Sequence, residues 1–589
     1  MNGAVLLLIA TACFLVGYFV YSRFVGRLLG TDAARQTPAV SMKDGVDYVP
    51  AHPMVLFGHH FAAIAGAGPI VGPVLAAEFG WASVALWVVL GCIFIGAAHD
   101  MIALFLSVRH KGESIGSVIG DILGRPGRLL FLLFSWSALV LVVAEFTRQV
   151  AVTFVQDPSI ASASLLFIGE AILFGICVYR LKMNVLVASL IFVPIMFAFV
   201  WLGGLLPIDL LKCHGFTAAE YTAALASGAS IPADLAAAAQ SVQTVWTLVL
   251  LAYCFLASTL PVWLLLQPRD YLNAYLLYAM MILGFLGVFV AHPTLQTAAF
   301  TGFSAVGRSG HLEYLFPFLF VTVACGACSG FHALVASGTT AKQLDSEKSI
   351  RPVAYGGMLL EGVLAVIALV GVAGSFASQA DYVKTIQVTE PVNVFASTIA
   401  GFVQKMGFPA ETARSFMLLS VSAFLLTSVD AGTRLARFSW QEFVAAAAPA
   451  ANGTDAAKRG WLYRVCHNMY VGTGVVIALV CALLLGNPKA AKSLWTIFAS
   501  ANQLLAALTL LTATLWFVRN KKPCWITLVP MCFMMTVSTY ALIALFRTSL
   551  TGGNWTVVGA TGFLILVAIA LILFSLSYVY TRFVRKEAA

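Results

Sequence analysis

GHHFAAIAGAGPIVGP, residues 58–73, decides how this chain folds. It lies inside an apolar run of about residues 55–77, long enough to span a bilayer. Gly66, Gly68, Pro69, Gly72 and Pro73 fall in the middle of that run. Each proline lacks an N–H, so the carbonyl four residues earlier loses its helical partner. Pro69 frees the carbonyl of Ala65, and Pro73 frees that of Pro69. Bare carbonyls are tolerated at membrane depth only inside protein or beside a water-filled cavity. The stretch therefore predicts a discontinuous membrane helix, the device from which secondary transporters build substrate and ion sites. The plainer alternative is a kinked helix packed closely through small residues.

A second interruption is read in LASTLPVWLLLQPRDY, residues 256–271. Pro261 and Pro268 free the carbonyls of Ala257 and Leu264, and Ser258 and Thr259 can bond backbone or face a ligand. Five spans separate the two interruptions. An odd offset predicts an inverted repeat with corresponding broken helices in its two halves.

The 589 residues are 60% hydrophobic and 10% charged, with a mean hydropathy of +0.92. Soluble domains carry about 25% charged residues, so the chain reads as an all-α polytopic membrane protein. Apolar runs at 4–20, 55–77, 81–108, 128–154, 163–180, 184–206, 242–266, 272–291, 314–338, 353–375, 411–432, 465–486, 493–518, 524–546 and 555–580 predict about fifteen spans. The first run has no basic residue ahead of it and no small-residue cleavage site, so it reads as a retained span with its N-terminus outside. That choice puts the C-terminus in the cytoplasm and most of the 34 basic residues in inner loops. The net charge of +9 is thus topology, and no nucleic-acid partner is expected. Eleven cysteines, mostly in spans, imply no disulfide framework.

The organisation expected is an extra helix and inner loop at 1–54, a first repeat at 55–206, an outer loop at 207–241, a second repeat at 242–432, an inner loop at 433–464, and four C-terminal helices over 465–589.

Ionisable residues inside spans are costly and functional by default. Asp100 and Glu361 sit in apolar runs with no basic partner at helical spacing, which makes them candidates for reversible protonation. His99 adjoins Asp100, and Glu170 is a further single carboxylate. Glu145 and Arg148, three apart, can neutralise each other. Asp430 is a coupling candidate or a partner for Arg434 at i+4. In and just after span 314–338, Ser329, Thr339 and Thr340 offer hydroxyls suited to a hard cation, with Ser337 a further coupling candidate; His332 can titrate or pack, and the CxxC spacing of Cys325 and Cys328 reads as packing. Asn502 and Gln503 read as glue between helices.

FGHHFAAIAGAGPIVGPVLAAEFGW, LPVWLLLQPRDYL, FPFLFVTVACGACSGFHALVASGTT, YGGMLLEG, VDAGTRLARF, FASANQLLA and DGVDYVP closely resemble blocks of the carbon-starvation protein A (CstA) family, over roughly residues 25–545. The resemblance implies inner-membrane uptake of small carbon sources during nutrient limitation, with peptides or pyruvate as substrates and protons as a coupling ion. It also implies membership of the amino acid–polyamine–cation superfamily, hence a LeuT-like five-plus-five inverted repeat. The family blocks cover His59, His60, Gly66, Gly68, Pro69, Gly72, Asp100, Pro261, Arg269, Asp270, Ser329, His332, Ser337, Glu361, Asp430 and Arg434. His99 stands where a glutamine is expected, Cys328 where an aliphatic residue is, and 376–410 is short beside larger members.

The substrate is expected at the unwound segments, near His59, His60, Gly66, Ala67, Gly68, Pro69, Gly72, Ser258, Thr259, Pro261 and His332. A free helix N-terminus there suits a carboxylate. His59 and His60, about two turns before the break, suit gating or titration. Coupling falls to Asp100, Glu361 or Asp430 if the ion is H⁺. If it is Na⁺, carbonyls near Ala65 and the Ser329 and Ser337 hydroxyls are the expected cage. No cofactor, metal or enzymatic activity is expected, because no Walker loop or HExxH is present. A nutrient sensor signalling through 433–464 is the competing class. The expected partners are a small-molecule substrate and the bilayer.

Overall fold

The structure, a computed structural model, describes residues 1–44, 48–227, 231–261, 263–308, 310, 312–448, 460–486 and 493–580. Lys458, Arg459, Arg582, Arg585 and Lys586, which enter the charge pattern, lie outside the described residues.

The long helices are α1 (Gly3–Leu29), the bent pair α2 (Pro53–Ile64) and α3 (Gly68–Ala76), then α4 (Trp81–Arg109), α5 (Ile115–Gln156), α6 (Pro158–Arg180) and α7 (Val185–Leu205). α8 (Ala233–Thr259) and α9 (Leu266–Ala291) follow, and then an interrupted run of α10 (Leu315–Thr322), α11 (Ala324–Ala327) and α12 (Gly330–Gly338). The chain continues with α13 (Glu347–Ser375), α14 (Gln379–Val388), α15 (Pro391–Gln404), α16 (Ala410–Ala447), α17 (Met469–Leu485), α18 (Leu494–Arg519), α19 (Trp525–Thr551) and α20 (Trp555–Val579). Among the described residues, 12 helices are long and apolar enough to cross a membrane, or 13 if the bent pair counts as one span. Of the about fifteen spans expected, 314–338 is cut into three pieces and α17 has only 17 residues.

The interior is built around α5 and α16, whose mutual contact is the most extensive in the fold. In α16 and α18, 94% of the most apolar window is buried, against 17% in the helix that begins at Val185, so the first two are core and the last is rim. α5 kinks at Gly124 (φ 78), just before Pro126, which explains why the expected span starts later, at 128.

Two expectations are corrected. The interruption at Ala257–Pro261 is not midway through a span. α8 and α9 have 27 and 26 residues, each sufficient to cross alone, and Pro261 lies in their connection. The second interruption within a span is at Val323–Ser329. The inner loop expected from 433 is instead helical as far as Ala447. Thr433, Arg434, Leu435, Ala436 and Arg437 are buried there, so the helix continues as a packed element.

At the end of the bundle that carries 207–241 and 376–410, a hairpin of β1 (Ser304–Val306) and β2 (Leu312–Tyr314) pairs Ala305 with Glu313.

Candidate functional site

The first break begins where Ala65 (ψ 61) leaves the helical conformation. The helix restarts at Gly68 with Pro69 in its first turn, where a missing N–H costs nothing. The two halves bend by 44°. The N–H groups of Ala67 and Gly68 make no hydrogen bond among the described residues. The second break runs through Val323 (ψ 37) to Cys328 and Ser329, both extended.

The backbone freed in the second break is satisfied by α18. Asn502 Oδ1 accepts the Phe331 N–H at 2.8 Å, its Nδ2 donates to Ser329 Oγ at 3.0 Å, and Gln503 Nε2 donates to the Phe320 carbonyl at 2.7 Å. Two adjacent amides thus make an interrupted helix tolerable at membrane depth.

The two breaks press against each other. A Cβ added at Gly68 would overlap Cβ and Sγ of Cys325, and one at Gly72 would lie 2.7 Å from the Thr322 carbonyl oxygen. Gly66 faces α16, where an added Cβ would sit 2.9 Å from Ser428 Oγ. That hydroxyl is buried and has no partner among the described residues.

Behind the breaks lies a fully buried ionisable centre drawn from three helices. His332, in the first turn of α12, places Nδ1 2.7 Å from Asp100 Oδ2 of α4. Its Nε2 is 3.2 Å from Glu361 Oε2 of α13, within ion-pair range but not aligned as a hydrogen bond. Asp100 Oδ1 is 2.7 Å from His99 Nδ1. His60 of α2 bonds Thr340 Oγ1 at 2.8 Å, and its Nε2 has no partner among the described residues. Gly357, one turn before Glu361, lies beside the His60 ring and Ile64. An imidazolium here would be shared between two carboxylates. Moving one proton changes the charge of a buried cluster, and the energy of that change is felt by every helix that contributes to it.

A second buried cluster is separate. Arg269 pairs with Asp430, and the Tyr253 hydroxyl donates to the same carboxylate at 2.6 Å. Asp430 therefore pairs across helices rather than with Arg434 at i+4. Arg434 instead donates to the Ala257 and Leu260 carbonyls, each at 2.7 Å, closing the end of α8. Next to Arg269, Asp270 Oδ2 stands 3.8 Å from His59 Nδ1.

Other expected site residues are engaged elsewhere. Ser258 Oγ lies 3.2 Å from Thr473 Oγ1, the Thr259 hydroxyl donates back to Phe255 O, and Pro261 is exposed. Ser337 donates to Ala333 O within its own helix. Glu170 is buried with both oxygens unpaired among the described residues and does not join either cluster. Glu145 and Arg148 do pair, at 2.9 Å, and Arg148 also reaches Glu390, which Arg308 holds at 2.8 Å. Thr340, a cation-ligand candidate in the sequence, instead bonds His60. Ser428 and Asn502 were not in the expected site; Ser428 carries no helical-spacing signal, and only the fold brings it to the breaks.

Fold and site define a multi-pass membrane protein whose two interrupted helices face each other beside a buried carboxylate–histidine centre. The chain belongs to the carbon starvation protein CstA family, whose model matches residues 2–385 and 374–541. It is 32% identical over 605 residues to the peptide transporter CstA of Campylobacter jejuni, covering 91% of this chain and 80% of that one. To the pyruvate/proton symporter BtsT of Escherichia coli it is 30% identical over 616 residues, covering 92% and 81%. Among solved structures it is similar to MhsT in complex with L-phenylalanine, with a TM-score of 0.46 and 12% identity over 89% of this chain and 99% of that one.

Proposed function

We propose that the chain is a secondary active importer of small carboxylate-bearing nutrients, peptides or pyruvate, across the bacterial inner membrane under carbon limitation, coupled to protons. The observation that carries this reading is the Asp100–His332–Glu361 centre, buried immediately behind two facing helix breaks. The substrate carboxylate meets the unpaired N–H groups of Ala67 and Gly68 at the start of α3, where the helix dipole favours an anion. Protonation of the centre and occupancy of the break are coupled because His332 begins α12, directly after the second break. His59 and His60 lie on the half-helix α2 and act in gating.

The architecture proposed is a five-plus-five inverted repeat in which α2–α3 corresponds to α10–α12, with α8 and α9 as an insertion. Counting the interrupted run and α17 brings the spans to about fifteen, N-terminus outside and C-terminus in the cytoplasm. Names of relatives support peptide and pyruvate as substrates and a proton as the driving ion.

A Na⁺-coupled mode has one specific observation in its favour. Ser428 Oγ is unpaired beside the unwound Gly66 backbone, a better placed oxygen than Ser329, which Asn502 occupies.

The test is uptake into proteoliposomes of labelled pyruvate and labelled di- and tripeptides under an imposed pH gradient. Accumulation that a protonophore abolishes supports the reading. Accumulation that survives the protonophore and needs Na⁺ transfers coupling to the Ser428 site, and no uptake of any compound overturns the importer.

A further inference from the structure

A cavity of about 870 Å³ opens at the end of the bundle that carries 207–241 and 376–410. It lies between the ends of α5, α13 and α15 and the start of α16, and Ala219, Thr222 and Leu225 close one side. α15 forms its floor and separates it from α3, against which α15 packs. The cavity is thus one helix away from the first break.

Its lining is mixed, with apolar side chains such as Leu225, Phe376 and Phe402 beside charges of both signs. Lys405 and Glu411 line it, are exposed, and have no ion-pair partner among the described residues. Arg414, one turn after Glu411, is tied only loosely to Asp157, at 3.8 Å. In the floor, Asn393 is 8% exposed and donates through Nδ2 to Gln156. Its Oδ1 is buried with no hydrogen-bond partner among the described residues. A buried amide oxygen left unpaired at the wall of a cavity is costly unless a donor arrives from the cavity.

We propose that this cavity is an outer receiving site for short zwitterionic peptides, with the peptide carboxylate toward Lys405 and Arg414 and the ammonium toward Glu411. The peptide backbone N–H groups supply the donor that Asn393 Oδ1 lacks. Several hundred Å³ is the size that accommodates a ligand of a few residues. A three-carbon keto acid fills little of it, brings no cation for Glu411 and no donor for Asn393. The proposal rests on the importer reading and on the orientation given with it, and it selects peptides over pyruvate as the cargo of this chain.

The experiment is calorimetric titration of the purified full chain with trialanine, N-acetyl-trialanine, trialanine amide and pyruvate, together with uptake of labelled trialanine. The expected result is binding of trialanine, with a loss of about fivefold on blocking either end, and the same loss in Lys405→Met and Glu411→Gln. KM for trialanine uptake should rise by the same factor. Lys384→Met, exposed on α14 and outside the cavity, should match the wild type. Blocked peptides that bind as tightly as trialanine, or Lys405→Met and Glu411→Gln that bind like the wild type, overturn the site while leaving the importer standing. Pyruvate uptake with no trialanine binding also overturns it. Trialanine binding that obeys the charge rule but no uptake of any compound overturns the importer and keeps the site.

Discussion

His332 and Asp100 lie 232 positions apart in the chain and meet at 2.7 Å in a spot where neither is exposed. The contact ties the half-helix after the second break to α4, the span that follows the first. Glu361 approaches the other ring nitrogen, so two carboxylates compete for one imidazole. In such a buried cluster the proton count sets the balance between helix arrangements. Asp100→Asn and Glu361→Gln remove one titrating group each and keep the shape. Both variants are expected to retain substrate binding and facilitated exchange but to lose uphill accumulation under a pH gradient. His332→Gln should do the same, with His332→Ala less stable because it also leaves a void. Wild-type accumulation in both carboxylate variants would remove the centre from coupling.

Gly68 and Cys325 are the closest approach between the two breaks, so Gly68→Ala should jam them, at about 1–3 kcal/mol of overpacking. Trimming the other wall tests the cause. Gly68→Ala with Cys325→Gly should recover much of the uptake that Gly68→Ala loses. Gly72→Ala meets the Thr322 carbonyl, which is backbone, and no side-chain trimming should rescue it. Uptake rates of the three variants, each checked for folding by thermal melting in detergent, decide this.

The first break was legible because proline and glycine act locally, through a missing N–H and an absent Cβ. The same local logic misplaced the second. Pro261 ends a helix at a connection just as it would interrupt one in mid-span, and sequence does not mark depth. The true second break has Pro317 twelve residues before Ser329 and is held open by Asn502 and Gln503 of a distant helix, information that lies in tertiary contacts. The candidates Asp100, Glu361 and His332 were found separately from their cost in lipid. That they form one centre, while Asp430 belongs with Arg269, could not be read from i+4 spacing.

Arg269 and Asp430 provide a stability test. Removing one partner of a buried pair leaves an uncompensated charge, which costs about 3–5 kcal/mol. Arg269→Met and Asp430→Leu should each lower the melting temperature strongly. The double variant should recover most of the loss, because an apolar pair of similar size needs no compensation. A double variant as unstable as the worse single one would show that Tyr253 and the remaining network, not the pair, carry the effect.

Glu390, at the start of α15, sits between Arg308 of the hairpin and Arg148 of α5. Burial alone would raise its carboxyl, but the two guanidinium groups override that and hold it down to about 2, below its ordinary 4.5. A carboxylate with a depressed native value stabilises the fold fully above the unfolded value and loses that contribution as pH falls through the native one. The contribution is therefore complete above pH 4.5 and declines toward about 2. Glu390→Gln should lower the melting temperature by the same amount across roughly pH 5 to 8, with the gap narrowing only below about pH 4. The charge of Glu390 is constant in the neutral window, so uptake by Glu390→Gln should keep the wild-type pH profile in shape, scaled in rate. A profile whose midpoint moves between pH 5 and 8 in this variant would mean that the outer Arg–Glu network itself takes part in proton coupling.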